Sequence, residues 1–142
     1  MSVTAAAGFV AAGVHCGVKA DPDALDLALV ATDDAVAVTA AAVFTTNRAP
    51  AAPVEVSRGH LSATGGRAAA VVLNSGNANA ATGSSGRQHA EHTCALVAEA
   101  LGCAPEEVLV CSTGLIGIPL AIDAVAAGVP QLAGARSAAP AA

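Results

Sequence analysis

Residues 108–119 read V-L-V-C-S-T-G-L-I-G-I-P, an apolar run that opens into Ser112, Thr113 and Gly114 and then passes Gly117 and Pro119. A buried strand ending there would hold a hydroxyl and approachable backbone N–H groups at a rigid position, the donors that a developing oxyanion needs. Ser112 and Thr113 could themselves be nucleophiles, but a serine nucleophile would want a histidine base, and no G-x-S-x-G elbow surrounds Ser112. Donor is therefore the better role for Thr113. No nucleophile is assigned within these residues, so the motif is half of an active site.

A second stretch, N-S-G-N-A-N-A at residues 74–80, follows another apolar run. Asn74, Asn77 and Asn79 are candidates to line a substrate pocket, while the alternative is a polar loop whose amides satisfy turns and cap a helix. Spacing alone leaves both open. Thr82-Gly83-Ser84-Ser85-Gly86 lacks the G-x-x-x-x-G-K-[ST] pattern of a phosphate loop and reads as a helix leader. His89 and His92 lack a third ligand at metal-binding spacing, so no metal site is assigned. His15 and His60 read as surface or satisfied residues. Asp26, inside an apolar stretch, lies either at a solvent-facing edge or buried with a partner, for which Lys19 is the candidate. Cys16, Cys94, Cys103 and Cys111 form no C-x-x-C pair and read as free, mostly buried thiols.

These groups need elements to hold them. Residues 10–18, 25–30 and 36–45 have strand character, and the Asp-rich turn at residues 32–34 suggests an antiparallel hairpin. Residues 52–61 fit a strand or a short helix equally. Residues 68–73 form a run consistent with a strand buried on both faces. Residues 86–101 repeat apolar positions at helical spacing (Ala90, Cys94, Val97, Ala98, Leu101), with Gly102 as the stop. A strand over residues 107–111 and a helix over 120–132, weakened by Gly128 and Pro130, complete an α/β layered domain with a mixed sheet. The Ala- and Pro-rich residues 135–142 read as a disordered tail.

Composition sets outer bounds. The 142 residues are 54% hydrophobic and 12% charged, with Phe9 and Phe44 the only aromatics. The core must be Ala, Val and Leu, and the charged share is about half that of a usual soluble domain, which implies a surface covered by a partner or a continuation of the chain. With net charge −5 and single, scattered cations, nothing favours nucleic acid. Apolar segments broken by Gly, Asp and His, and no basic start, favour neither a membrane nor export, so the expected location is cytoplasmic.

Taken together, the motifs resemble the ornithine acetyltransferase family, the bifunctional glutamate N-acetyltransferases of arginine biosynthesis. The matching strings are G-F-V-A-A-G-V at residues 8–14, G-V-K at 17–19, D-L-A-L-V at 26–30 and V-F-T-T-N at 43–47. A-A-P-V at 51–54, N-S-G-N-A-N-A-A-T-G at 74–83 and C-S-T-G-L-I-G at 111–117 complete the series. The resemblance implies the amino-terminal part of a self-cleaving, N-terminal-nucleophile fold, with residues 1–134 as the first-chain domain. It implies transfer of acetyl from N2-acetylornithine to glutamate through an acetyl-threonine on a second chain, with two first and two second chains in the assembly. In that family Thr113, through its hydroxyl, and Gly114, through its N–H, correspond to the oxyanion-hole pair. No cofactor is implied; acetyl-CoA stays open as a co-substrate. The family's K-G-x-G-M-I-x-P-x-M-A-T-M-L-like segment has no counterpart here, so the chain is expected to be a first-chain fragment, inactive alone. Competing readings are a related self-processing aminopeptidase or amidohydrolase, and a truncated small-molecule-binding domain.

Overall fold

The computed structural model describes residues 3–139. Its centre is a four-stranded sheet made of β1 (Phe9–Val14), β2 (Leu27–Thr32), β5 (Ala70–Asn74) and β6 (Val108–Ser112), in the spatial order β1-β2-β5-β6. β1–β2 and β2–β5 pair antiparallel and β5–β6 parallel, the expected mixed sheet. The register sets Leu27 opposite Asn74 and Asn74 opposite Ser112. The start of β2 and the ends of β5 and β6 therefore share one end of the sheet, and every candidate of the S-T-G and N-S-G-N motifs gathers there.

Burial alternates along the strands as the pleat requires. Leu27, Leu29, Ala31, Ala70, Val72, Val108 and Val110 point to one face and are buried. Helices α2 (Gly83–Leu101) and α3 (Ile122–Gly134) cover that face with Ala90, Cys94, Val97, Ala98, Val125, Val129 and Leu132. The intervening positions, including Val71, Leu73, Leu109 and Cys111, stay exposed or half-exposed. Small side chains let the layers approach closely. A Cβ on Gly128 would lie 2.4 Å from Cys16 Cβ, so this glycine is where α3 rests on the loop after β1. The helix continues through Pro130. As expected, α2 ends at Gly102, which takes φ +81° and donates its N–H to the Ala98 carbonyl.

The segment open between strand and helix is a helix, α1 (Ala52–Ala63). Ala51 is extended and Pro53 sits in the first turn, where its missing N–H costs nothing. α1 lies along β6, the outer strand. Ser57 Oγ donates to the Val110 carbonyl and accepts the Val110 N–H, both at 2.9 Å, and His60 Nδ1 lies 2.8 Å from the Val108 carbonyl. One helix thus satisfies backbone groups that an open edge would leave free. At the opposite edge, Ala11 and Ser137 exchange two backbone hydrogen bonds of 3.0 Å. Residues 135–137, read as the start of a disordered tail, thus pack against β1, because Ser137 supplies the partners that β1 lacks on that side; residues 140–142 lie outside the described ones.

The expected strand over residues 36–45 and its hairpin with β2 are corrected. Only Val38–Thr39 (β3) is strand, and it pairs with β4 (Arg67–Ala68) in a separate two-stranded sheet. Both sides of β2 are already taken by β1 and β5. The Thr32 hydroxyl donates to the Val36 carbonyl, Asp34 accepts the Val36 N–H, and Ala35 turns the chain away at φ +58°. The antiparallel hairpin is instead β1–β2, joined by residues 15–26.

Candidate functional site

Beyond Asn74 and Ser112 the two parallel strands continue as interlocked turns. The Thr113 N–H donates to the Asn74 carbonyl (3.0 Å), the Leu115 N–H to the Gly76 carbonyl (3.3 Å), and the Ala78 N–H to the Leu115 carbonyl (2.9 Å). Between these rungs stands Gly114 at φ +135°. A Cβ there would lie 2.3 Å from the Gly76 carbonyl carbon and 2.5 Å from the Asn77 nitrogen, so only glycine fits. Both Thr113 and Gly114 are exposed. Among the described residues, neither the Thr113 hydroxyl nor the Gly114 N–H is spent on a protein hydrogen bond, so two adjacent donors remain for a ligand.

Ser112, one residue earlier, is occupied. Its hydroxyl accepts the Asn79 N–H at 2.8 Å and donates to the Asn77 carbonyl at 3.2 Å. Among the described residues no histidine or carboxylate is hydrogen-bonded to it, which removes the geometry of an activated serine. The three asparagines lie under the turn and are buried. Asn74 Nδ2 donates to the Asn77 carbonyl (2.7 Å), Asn77 Nδ2 to the Ile118 carbonyl (2.9 Å) and Asn79 Nδ2 to the Gly86 carbonyl (2.8 Å), while Asn79 Oδ1 accepts the Thr82 hydroxyl (2.6 Å). Asn77 and Asn79 thus hold the loops that frame the donors. Asn74 also lines, with Asp26, Leu73, Ser75 and Thr113, a groove of about 210 Å³.

Asp26 is buried at the mouth of β2, and its partners differ from the expected Lys19 ammonium. Oδ1 accepts the Cys16 N–H at 2.6 Å; Oδ2 accepts the N–H groups of Gly17 (3.2 Å) and Lys19 (2.9 Å). The Lys19 ammonium turns away to the Leu25 carbonyl. Burial pushes the carboxyl up, but these N–H donors, the Cys16 thiol and the His15 ring 3.4 Å away outweigh it and hold the group at about 2. Burial and, after it, the same carboxylate raise the Cys16 thiol to about 11, and burial lifts Cys94 to about 12 and Cys103 and Cys111 above their ordinary value. None of the four is a thiolate at neutral pH, so none is an activated nucleophile. Only Cys94 is buried; Cys16 and Cys103 are half-buried and Cys111 is exposed on the uncovered sheet face.

His89 and His92 stand on α2, half-buried and exposed, and the described residues bring no three of His, Cys, Asp and Glu together as a metal cage. Sequence reasoning missed Gly76 as the seat of Gly114, for which its place in N-S-G-N was the available signal. It also missed Ser57, whose role depends on a strand 53 residues away.

The ArgJ family model matches residues 10–142. The chain belongs to the ArgJ family. It is 48% identical over 125 residues to the arginine biosynthesis bifunctional protein ArgJ of Geobacter sulfurreducens, covering 88% of this chain and 30% of that protein. Its identity to the ArgJ of Streptomyces coelicolor is 49% over 137 residues, covering 96% of this chain and 35% of the relative. The chain thus spans about a third of the length of these curated relatives. Two crystal structures superpose with a TM-score of 0.89 over 98% of the chain. One is ArgJ of Bacillus halodurans (38% identical, 69% of that chain covered), the other the ornithine acetyltransferase of Mycobacterium tuberculosis complexed with ornithine (46%, 72% covered). The family read from the motifs and the α/β fold with its mixed sheet are both established by these matches.

Proposed function

We propose that this chain supplies the oxyanion hole of an acetyl transfer from N2-acetylornithine to glutamate, through the Thr113 hydroxyl and the Gly114 N–H. The observation that carries the reading is that these two neighbouring donors are unspent, while the adjacent Ser112 hydroxyl is fully used by the fold. In the reaction, a threonine of a second chain, produced by self-cleavage of a precursor, attacks the acetyl carbonyl. The carbonyl oxygen takes up the electron pair as an oxyanion and is held by the two donors. Collapse expels the ornithine amine, which takes up the proton given up by the threonine hydroxyl, and leaves the acetyl on the threonine oxygen. The glutamate amine then attacks the same carbonyl, passes through a second oxyanion in the same hole, and departs as N-acetylglutamate with the threonine restored. The donors act on the charge that exists only in the transition state and intermediates, so their contribution belongs in kcat.

The groove beside Thr113 that Asn74 lines is the site proposed for the substrate. The uncovered sheet face with Leu73 and Cys111, together with exposed Leu115, Ile116 and Ile118, is where the second chain is proposed to pack, in an assembly of two first and two second chains. The reaction needs no cofactor, and acetyl-CoA would serve only as an alternative acetyl donor. No helix of the described residues is long and apolar enough to cross a membrane. A cytoplasmic location is part of the proposal. The test is product analysis with the complete protein: N2-acetylornithine and glutamate should give ornithine and N-acetylglutamate in equal amounts, and the 142-residue chain alone should give neither. Release of free acetate without any need for glutamate would instead establish a hydrolase.

A further inference from the structure

Gly114 packs directly on the Gly76 peptide: a Cβ on Gly114 would lie 2.3 Å from the Gly76 carbonyl carbon and 2.6 Å from its oxygen. Gly76 itself has φ +104°, a conformation that favours glycine, and it has no side chain with which to anchor. Its α-carbon is covered from outside. A Cβ on Gly76 would lie 2.8 Å from Lys19 Cγ and 3.6 Å from Lys19 Cε, with Val18 Cγ1 also at 3.6 Å. The lysine stem therefore lies along the glycine, while the ammonium leaves the site and donates to the Leu25 carbonyl at 2.9 Å. Gly76 has Lys19 against its α-carbon and Gly114 against its carbonyl carbon.

Asp26 fixes both parts. Its carboxylate takes the N–H groups of Cys16, Gly17 and Lys19, which sets the path of the loop that carries the lysine stem. Its backbone carbonyl accepts the Ser75 N–H at 2.9 Å, one residue before Gly76. The carboxylate meets no open solvent, and its hydrogen-bonding capacity is turned inward to the chain rather than to a ligand.

We infer that Lys19 is a positioning residue for the oxyanion hole: its methylene stem, held by the Asp26 clamp on residues 16–19, seats the Gly76 peptide on which the Gly114 α-carbon packs, and so fixes where the Gly114 N–H stands. The inference rests on the oxyanion-hole reading for its catalytic consequence, but its geometric content stands apart from it. The charge of Lys19 is incidental to this role, and its unbranched length is what matters. Shortening the stem leaves a gap beside a flexible glycine and lets the donor drift, and misplacement of a catalytic group by a fraction of an ångström is enough to slow a reaction.

A graded series, Lys19→Ala, Lys19→Gln and Lys19→Met, tests this by two readouts. On this chain, the amide resonance of Gly114 and its solvent exchange should move most in K19A, less in K19Q and least in K19M, which keeps the stem without the ammonium. In the complete protein, kcat for acetyl transfer should fall about tenfold in K19A with KM within about twofold, and K19M should recover most of the loss. Should K19A fail to fold, the Gln and Met variants still order the effect. An unmoved Gly114 amide throughout the series overturns the inference. So does a KM that rises equally in K19A and K19M, which would make the ammonium a ligand for a substrate carboxylate. Absence of acetyl transfer by the unmutated complete protein would remove the functional reading alone, and the amide series would still decide the positioning.

Discussion

Replacing Thr113 by alanine in the complete protein removes one of the two proposed donors and almost nothing else. The side chain is exposed, and its hydroxyl bonds to no protein group among the described residues. The backbone N–H that locks the turn to the Asn74 carbonyl is untouched. The folded state therefore loses no buried partner, and stability should change by no more than about 0.5 kcal/mol, as for other surface substitutions. Catalysis should respond very differently, because loss of one oxyanion donor costs about 3 kcal/mol of transition-state stabilisation, or roughly a hundredfold to a thousandfold in kcat. KM for N2-acetylornithine should stay close to its original value, because the ground-state carbonyl uses the donor far less than the oxyanion does. Steady-state kinetics of N-acetylglutamate formation, with thermal melting of the same preparation, gives both numbers. Ser112→Ala supplies the opposite pattern. It strips the partner from the buried Asn79 N–H and should cost about 1–3 kcal/mol of stability, with a smaller loss in kcat than T113A. Full kcat in T113A beside an abolished kcat in a stably folded S112A would refute the division of roles within the turn.

Ser57→Ala removes a hydroxyl that satisfies both the N–H and the carbonyl of Val110, and should lower the stability of this chain by about 1–3 kcal/mol in a denaturant titration. Asp26 is lowered from 3.8 to about 2, so its stabilising effect is present above the unfolded value and lost as pH falls through the folded one. Acid titration of this chain should show a carboxylate-linked loss of about 2 kcal/mol between about pH 4 and pH 2 that is missing in Asp26→Asn, whose own stability at neutral pH is lower. The isolated chain should bind a hydrophobic dye and self-associate with rising concentration, because Val43 is fully exposed and Leu115 and Ile116 are each 66% exposed. Sedimentation showing a clean monomer at high concentration would contradict an uncovered partner face.

Where local pattern decides structure, the sequence was readable. The helical spacing from Ala90 to Leu101 and the glycine that follows place α2 and its end, because periodicity and capping act within a few residues. The S-T-G string likewise placed Thr113 and Gly114 at a strand end. What could not be read was set by distant partners. Residues 36–45 have β-forming side chains, but β2 has no free side for them once β5, some 40 residues later, has paired. The short Ala-Pro-Val-Glu segment became a helix through a face that packs on β6. Asp26 could be singled out as a buried carboxylate, yet its partners are backbone N–H groups of the loop between β1 and β2, which no residue type announces. Ser112 and Thr113 are equivalent as hydroxyls in the sequence. They are told apart only because the Asn77–Asn79 loop comes back over one and not the other.

The central claim, that Thr113 and Gly114 polarise the reacting carbonyl, is tested most directly on the acetylated intermediate itself. With 13C-labelled acetyl carried by N2-acetylornithine, isotope-edited infrared difference spectra of the complete protein would isolate the carbonyl stretch of the acetyl-threonine. Two donors aimed at its oxygen should lower that frequency below the value for an acetyl ester of threonine in water, and T113A should return it part of the way. A stretch at the solution value, unchanged between the unmutated protein and T113A, would show that the Thr113–Gly114 turn does not hold the carbonyl.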